Sequence, residues 1–179
     1  MKITIYSEKG GSGKSTLATV LALTLGVELF DLDAQKSSER LLKKREQPKK
    51  YNTGWIIDCP PGISLNTDMR EALADADLVL IPVRASYFDF DALPQTVKFL
   101  RLHTKGKIGF VGSDIDTRAN DMEAFKAVLA GYKLPLLGIL THRASYRRAG
   151  VSGQIAGEYD RIAASEASSL IVNIKEYLK

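Results

Sequence analysis

The 179-residue sequence predicts an α/β fold, a single domain built on a mainly parallel, twisted sheet with helices on both faces. Three observations point there. Short apolar runs alternate with segments of helical periodicity along the whole chain, the order that parallel strands joined by crossover helices require. The runs are mostly continuous rather than alternating, as strands buried on both faces are. The first of them leads through a glycine-rich loop straight into a helical pattern.

In chain order, strands are predicted over residues 2–6, 27–32, 54–58, 78–83, 108–112 and 136–140, and helices over 15–25, 38–46, 66–74, 92–103, 122–130 and 161–178. Leu17, Val20, Leu21 and Leu25 mark the first helix, while Leu170, Ile171, Ile174 and Leu178 share roughly one face of the last. With 45% hydrophobic residues and no linker, repeat or low-complexity run, a chain of this length buries one sizeable core. Ligands of such sheets bind at the carboxyl ends of the strands, so the residues just after each apolar run are the candidates for chemistry.

Composition narrows the classes. No apolar stretch reaches transmembrane length and no signal-peptide pattern opens the chain, so a cytoplasmic protein is expected. A lone cysteine, Cys59, makes no internal disulfide and cannot by itself hold zinc or an iron–sulfur cluster. Lys and Arg balance Asp and Glu over residues 1–90, so the net charge of +4 falls on residues 91–179. That asymmetry permits an anionic partner without requiring one.

The first constellation is Lys9-Gly10-Gly11-Ser12-Gly13-Lys14-Ser15-Thr16. A triphosphate needs backbone N–H donors wrapped closely around it, and glycines let the chain approach that near. Lys14 then reaches the β- and γ-phosphates, the Ser15 hydroxyl ligates Mg²⁺, and the following helix aims its free amides and dipole at the anion. The predicted fold is therefore a P-loop NTPase binding a nucleotide with Mg²⁺. Glu8 stands where the general pattern G-x-x-x-x-G-K-[ST] has glycine. Lys9 is a cation that a cradle already holding Lys14 and Mg²⁺ does not need; its alternative reading is a solvated loop lysine.

Two further constellations sit at strand ends. Asp31-Leu32-Asp33-Ala34-Gln35 closes the second strand, where a carboxylate beside a phosphate site positions a water or completes the Mg²⁺ shell. Trp55-Ile56-Ile57-Asp58-Cys59-Pro60-Pro61-Gly62 has the form of a Walker B strand, with Asp58 holding Mg²⁺ through water and Pro-Pro-Gly leaving the sheet as a stiff loop able to sense the γ-phosphate. Cys59 reads as a small buried residue rather than a reactive thiol.

The spelling K-G-G-x-G-K-[ST]-T resembles the deviant Walker A motif of the ParA/MinD ATPase family, in which the first lysine reaches across a dimer to the partner's nucleotide. Asp31-x-Asp33 resembles that family's D-x-D-P-Q segment, with Ala34 in place of the proline, and Asp58-Cys59-Pro60-Pro61 its D-x-P-P segment. The resemblance implies Lys9, Lys14 and Asp33 as catalytic residues, Asp31 as support, and Ser15, Asp33 and Asp58 as metal-site residues. Ile81-Pro82-Val83-Arg84 followed by Phe88-Asp89-Phe90-Asp91 is similar to the family's I-P-V-x-P segment, with arginine near the usual second proline, and is expected to shape a loop and the dimer face. The segment from Leu137 through Thr141, His142 and Arg143 to Tyr146 is similar to its last strand and following loop. Thr141, His142, Ser113 and Asp114 are the base contacts this implies, and His103 is a surface or packing residue.

No helix-turn-helix module is expected before the first strand, and the connection from Lys36 to Cys59 is short, which resembles the short, ParF-like subtype. The resemblance implies an ATP-bound homodimer, nonspecific DNA binding at the nucleoid, and a small centromere-binding or cargo adaptor protein that stimulates slow hydrolysis. Arg143, Arg147 and Arg148, with Lys43, Lys44, Arg45, Lys49 and Lys50, are the DNA-binding candidates, and a solvated basic surface is the other reading of both clusters. The last helix lacks the basic, large-apolar tail of a membrane anchor, so core packing is expected of it. A metabolic ligase or kinase of the same fold class and a membrane-associated positioning ATPase like MinD remain the alternatives.

Overall fold

The computed structural model describes residues 1–35, 38, 52–63, 66–118, 122–146 and 156–179. Six parallel strands, β1 (Lys2–Ile5), β2 (Glu28–Asp31), β3 (Trp55–Asp58), β4 (Leu78–Val83), β5 (Lys107–Ile115) and β6 (Leu136–Thr141), form one sheet in the order β2-β3-β1-β4-β5-β6. The described helices are α1 (Lys14–Leu25), α2 (Thr67–Ala74), α3 (Tyr87–His103), α4 (Met122–Ala130), α5 (Ala156–Tyr159) and α6 (Arg161–Leu178).

The side-chain period of two splits β4 between two cores, because successive residues of a strand point to opposite faces. Leu78 and Leu80 join Ile3, Ile5 and Ile56 under Leu17 and Leu21 of α1 and Leu170 and Ile174 of α6. Val79, Ile81 and Val83 join Met69 and Leu73 of α2, Val97 and Leu100 of α3, and Phe125 and Leu129 of α4. All of these are buried. Each such side chain contributes roughly 1.5–3 kcal/mol by leaving water. The apolar face of α6 thus lies in the core, as its pattern predicts. α1 ends where Gly26 takes the left-handed conformation, φ 64°, a backbone position that a side chain disfavours.

Two boundaries differ from expectation. α3 begins at Tyr87, not 92, so Phe88 to Asp91 are helical rather than loop. The cause is a reciprocal cap: the Ser86 hydroxyl contacts the Asp89 carboxylate and accepts from the Asp89 backbone N–H at 3.2 Å. β5 runs on through Ile115, so Ser113 and Asp114 belong to the strand rather than to the loop after it. Its pairing with β6 steps from Ser113↔Leu140 to Ile115↔Thr141, which leaves Asp114 as a bulge residue at φ 57°. The helix expected over 38–46 lies outside the described residues except for Ser38, which is buried.

β1 is central, flanked by β3 and β4, and the connections leave it in both directions. The crevice at its carboxyl end is the switch point of the sheet, where ligands of such folds bind. Register brings Ile5 level with Asp58 and Asp58 level with Asp31, so the loop after β1 and both strand-end carboxylates meet at one edge.

Candidate nucleotide site

The glycine-rich loop turns from β1 into α1 through two left-handed glycines, Gly11 at φ 74° and Gly13 at φ 94°. A Cβ on Gly13 would overlap Ser113 Oγ outright and lie 3.3 Å from Ser113 Cβ, whereas one on Gly10 or Gly11 would meet nothing within 4 Å. Only Gly13 is thus sterically obligatory against the rest of the protein; Gly11 is required by its backbone angle and Gly10 by neither. Lys14 is buried, and its Nζ donates to the Lys9 carbonyl at 2.9 Å across the loop. Burial lowers its pKa, against the opposing pull of the Asp58 and Asp33 charges. Ser12 is buried as well, its hydroxyl 3.4 Å from the same carbonyl.

The strand-end carboxylates have separate tasks. Asp31 is buried: Oδ1 accepts from the Asp33 N–H at 2.9 Å, and Oδ2 accepts from the Ser38 N–H and hydroxyl at 3.0 and 2.8 Å. It thereby ties Asp33 and Ser38 to the end of β2. Asp33 is half-buried; its Oδ1 caps the Gln35 N–H at 2.9 Å. Asp58 is 1% exposed, and neither carboxylate oxygen has a hydrogen-bond partner among the described residues. Burial pushes its pKa up to about 6, and the Asp31 charge adds to the rise. The Ser15 and Ser38 hydroxyls, which approach without completing a hydrogen bond, and Lys14 pull the other way.

The Pro-Pro-Gly loop is fastened to the phosphate loop. The Gly62 N–H donates to the Glu8 carbonyl at 2.8 Å, and the Tyr6 hydroxyl to the Gly62 carbonyl at 3.1 Å. Glu8, the departure from the general motif, therefore serves through its main chain. Cys59 is fully buried and its thiol is pushed up to about 12 by burial, so it is a packing residue and not a thiolate.

Lys9 and the buried Asp89 line a cleft of about 310 Å³ whose wall also carries Arg84 and Asp114. Lys9 Nζ pairs with Asp89 Oδ2 at 2.9 Å and lies 5.4 Å from the centre of the Phe88 ring. Phe88 and its neighbour Tyr87 are 71% and 76% exposed.

Next to that cleft, sharing Arg84 and Asp114 with it, a cleft of about 180 Å³ is lined by Gly11, Gly13, Thr16, Arg84, Ser113, Asp114, Leu140, Thr141, Arg143 and Tyr146. Of the four expected base contacts, Ser113, Asp114 and Thr141 line it, and His142 touches it through Asp114, with Nδ1 2.7 Å from Oδ1. Thr141 is already engaged: its N–H and hydroxyl donate to Glu166 at 3.1 and 2.6 Å, and the Tyr146 hydroxyl donates to the same carboxylate at 2.8 Å. Arg143, offered for DNA, is tied to Asp160 at 2.6 Å, while Arg147, Arg148 and the 43–50 basic cluster lie outside the described residues. His103 packs on Phe99 with ring centres 4.6 Å apart.

Sequence reasoning missed the partner of Lys9, the reach of Arg84 and the clamp by Glu166. Only Asp89 had a local signal, the Ser86-x-x-Asp89 cap spelling. A wider cleft of about 800 Å³, with Lys2, Lys105, Lys107, Lys175 and Lys179 on its walls, lies at the opposite edge of the sheet, away from the loop.

The donors present fit a magnesium nucleotide. Orphaned, desolvated carboxylate oxygens at Asp58 beside the Ser15 hydroxyl suit a hydrated divalent cation. The buried Lys14 and the N-terminus of α1 suit a polyphosphate. Among the described residues no cluster of three or more His, Cys, Asp or Glu side chains could hold a metal without such a ligand.

Fold and site together define a P-loop nucleotide-binding domain. Residues 3–156 match the CbiA family, the CobQ/CobB/MinD/ParA nucleotide binding domain, and the chain belongs to that family. It is 39% identical to the sporulation initiation inhibitor protein Soj of Bacillus subtilis over 70 residues, which is 38% of this chain and 27% of Soj. Among solved structures, a McdA variant from Cyanothece in complex with ATP superposes with a TM-score of 0.81 at 16% identity, covering 97% of this chain and 96% of that one. The pNOB8 ParA bound to nonspecific DNA superposes with a TM-score of 0.67 at 14% identity, covering 98% of each chain. Among the described residues no helix is long and apolar enough to cross a membrane.

Proposed function

We propose that this protein is a ParA-type ATPase that works as a nucleotide-operated dimer switch. Each of two copies binds ATP and Mg²⁺, Lys9 of each reaches the other's phosphates, and the paired form binds DNA nonspecifically until hydrolysis separates it. A small centromere-binding or cargo adaptor protein stimulates that slow hydrolysis. The task is partition of plasmid or chromosomal DNA, or positioning of another large cargo, on the nucleoid in the cytoplasm.

The residues divide the work. Main-chain amides of Gly10 to Ser15 and the Thr16 side of α1 wrap the phosphates, and Lys14 balances the charge on the β- and γ-groups. Ser15 and Asp58 hold the cation, Asp58 through water, and Asp33 orients the attacking water. Magnesium ATP, when bound, supplies the γ-phosphoryl group to be transferred and the charge that polarises it. Ser113, Asp114, Thr141 and His142 face the base.

One observation carries the reading: the loop holds two lysines with different partners. Lys14 donates to the Lys9 carbonyl within the loop, while Lys9 pairs with Asp89 beside the exposed Phe88 and Tyr87. A loop cation held by a carboxylate outside the loop exchanges it for the phosphates of a second chain. The likeness to the chromosome partitioning protein ParA of Myxococcus xanthus, 35% identical over 83 residues and 29% of that protein, supports the partition task.

The test is a pair of variants followed by light scattering and fluorescent-nucleotide titration. Lys14→Ala abolishes ATP binding. Lys9→Ala binds ATP close to wild type but no longer dimerises with it; normal ATP-dependent dimers in that variant would refute the composite site.

A further inference from the structure

We propose that Arg84 is a second nucleotide-binding cation of this site, paired with Asp114 in the free chain and turned onto a phosphate oxygen when the nucleotide enters. The inference rests on the P-loop reading above.

Arg84 follows β4 directly, and β4 pairs with β1, so its backbone stands beside the phosphate loop. The guanidinium bridges two walls of the cleft: Nη1 lies 3.4 Å from the Gly11 carbonyl, and Nη2 donates to Asp114 Oδ2 at 2.6 Å. The first contact is long and weak, the second short and charge-assisted. With two of five donors engaged and the side chain 44% exposed, the fork is free to rotate. An anion resting against Gly11 and Thr16 meets it in addition to the N-terminus of α1. A guanidinium matches phosphate in two parallel hydrogen bonds and is less strongly hydrated than an ammonium, so it exchanges one carboxylate for a phosphate readily.

Asp114 marks the pair as more than a surface ion pair. Its backbone sits at φ 57°, as the bulge residue of β5, a conformation costing a non-glycine residue on the order of 1 kcal/mol and concentrated at functional positions. That geometry aims one carboxylate between Arg84 and His142. Asp114 is at once the counter-ion that holds Arg84 and a negative charge on the wall of a cleft meant for a polyanion. A simple clamp between β4 and β5 makes the two residues allies; a phosphate-directed arginine makes Asp114 its competitor.

The two roles give opposite signs, read by titrating each variant with mant-ATP and Mg²⁺. Arg84→Ala weakens binding on the order of ten-fold, the scale of one hydrogen bond to a charged group, and Arg84→Lys falls between it and wild type because charge returns without the fork. Asp114→Asn, with a residue that tolerates the left-handed backbone, tightens binding a few-fold. Asp114→Asn weakening binding alongside Arg84→Ala, or Arg84→Ala leaving it unchanged, overturns the proposal. Lys14→Ala is the control for the parent reading: if that variant and wild type titrate alike, the loop assignment fails and this inference falls with it.

Discussion

Gly13→Ala tests the cradle at the position where it is sterically closed. Two costs add. The alanine must hold φ near 94°, outside the region open to a side chain, for about 1–3 kcal/mol. Its methyl overlaps Ser113 Oγ and sits 3.3 Å from Ser113 Cβ, so the serine or the loop shifts at a further cost of about 1 kcal/mol. The total is about 2–4 kcal/mol, on the order of 10 °C in Tm for a chain of this length. Thermal unfolding by circular dichroism reads it, with mant-ATP titration alongside, and binding is lost because the main-chain donors of the loop move. Gly13→Ala combined with Ser113→Ala recovers the overlap part but not the backbone part, about 1 kcal/mol. A Gly13→Ala protein melting within a degree or two of wild type and still binding nucleotide would refute the argument; a double variant no more stable than the single one would refute the overlap.

Two further outcomes follow from the described contacts. Asp58→Asn raises the stability of the nucleotide-free protein by about 1 kcal/mol, because it removes a desolvated charge with no hydrogen-bond partner, and it abolishes the added stabilisation by Mg²⁺ and ATP; equal melting of variant and wild type without ligand contradicts the first half. Asp160→Ala costs about 1–2 kcal/mol in urea unfolding at pH 7, since Asp160 caps α6 at the Ile162 and Ala163 N–H groups and pairs with Arg143. The Arg143 guanidinium holds that carboxyl well below the usual range, so its contribution is present above about pH 4, the unfolded value, and is lost as pH falls further. The gap between variant and wild type therefore narrows at pH 3; a gap that widens there reverses the sign.

Much of the site was legible because its chemistry is local. Gly10 to Thr16 fall in consecutive positions between a strand and a helix, so the loop, the cation of Lys14 and the hydroxyl of Ser15 follow from spelling alone, and α1 begins within one residue of its predicted start. Asp58 was readable as the polar end of an apolar run, and its burial without partners agrees with a ligand-holding role. The start of α3 was readable too, in Ser86-x-x-Asp89, but the aromatic residues of its first turn, Tyr87, Phe88 and Phe90, resembled loop.

Residues that act through distant partners were not legible. Lys9 meets Asp89 across 80 positions, Arg84 meets Asp114 across 30, and Glu166 reaches back 25 to hold Thr141. No periodicity connects such pairs; the sheet order does, by laying the exits of β4, β5 and β6 side by side next to β1. Arg143 shows the same limit from the other direction, a basic residue by composition whose charge is spent on Asp160.

The sequence by itself determined the alternation of strands and helices, the phosphate loop and the two strand-end aspartate motifs, because each depends on neighbours a few residues apart. Tertiary structure alone decided where the loop's two lysines go. The β1–β3–β2 register sets Asp58 level with Asp31 at the edge where Lys14 is buried, and the place of α3 after β4 offers Asp89 and Phe88 to Lys9. Which carboxylate Lys9 reaches, 80 positions along the chain, depends on strand order and not on spelling.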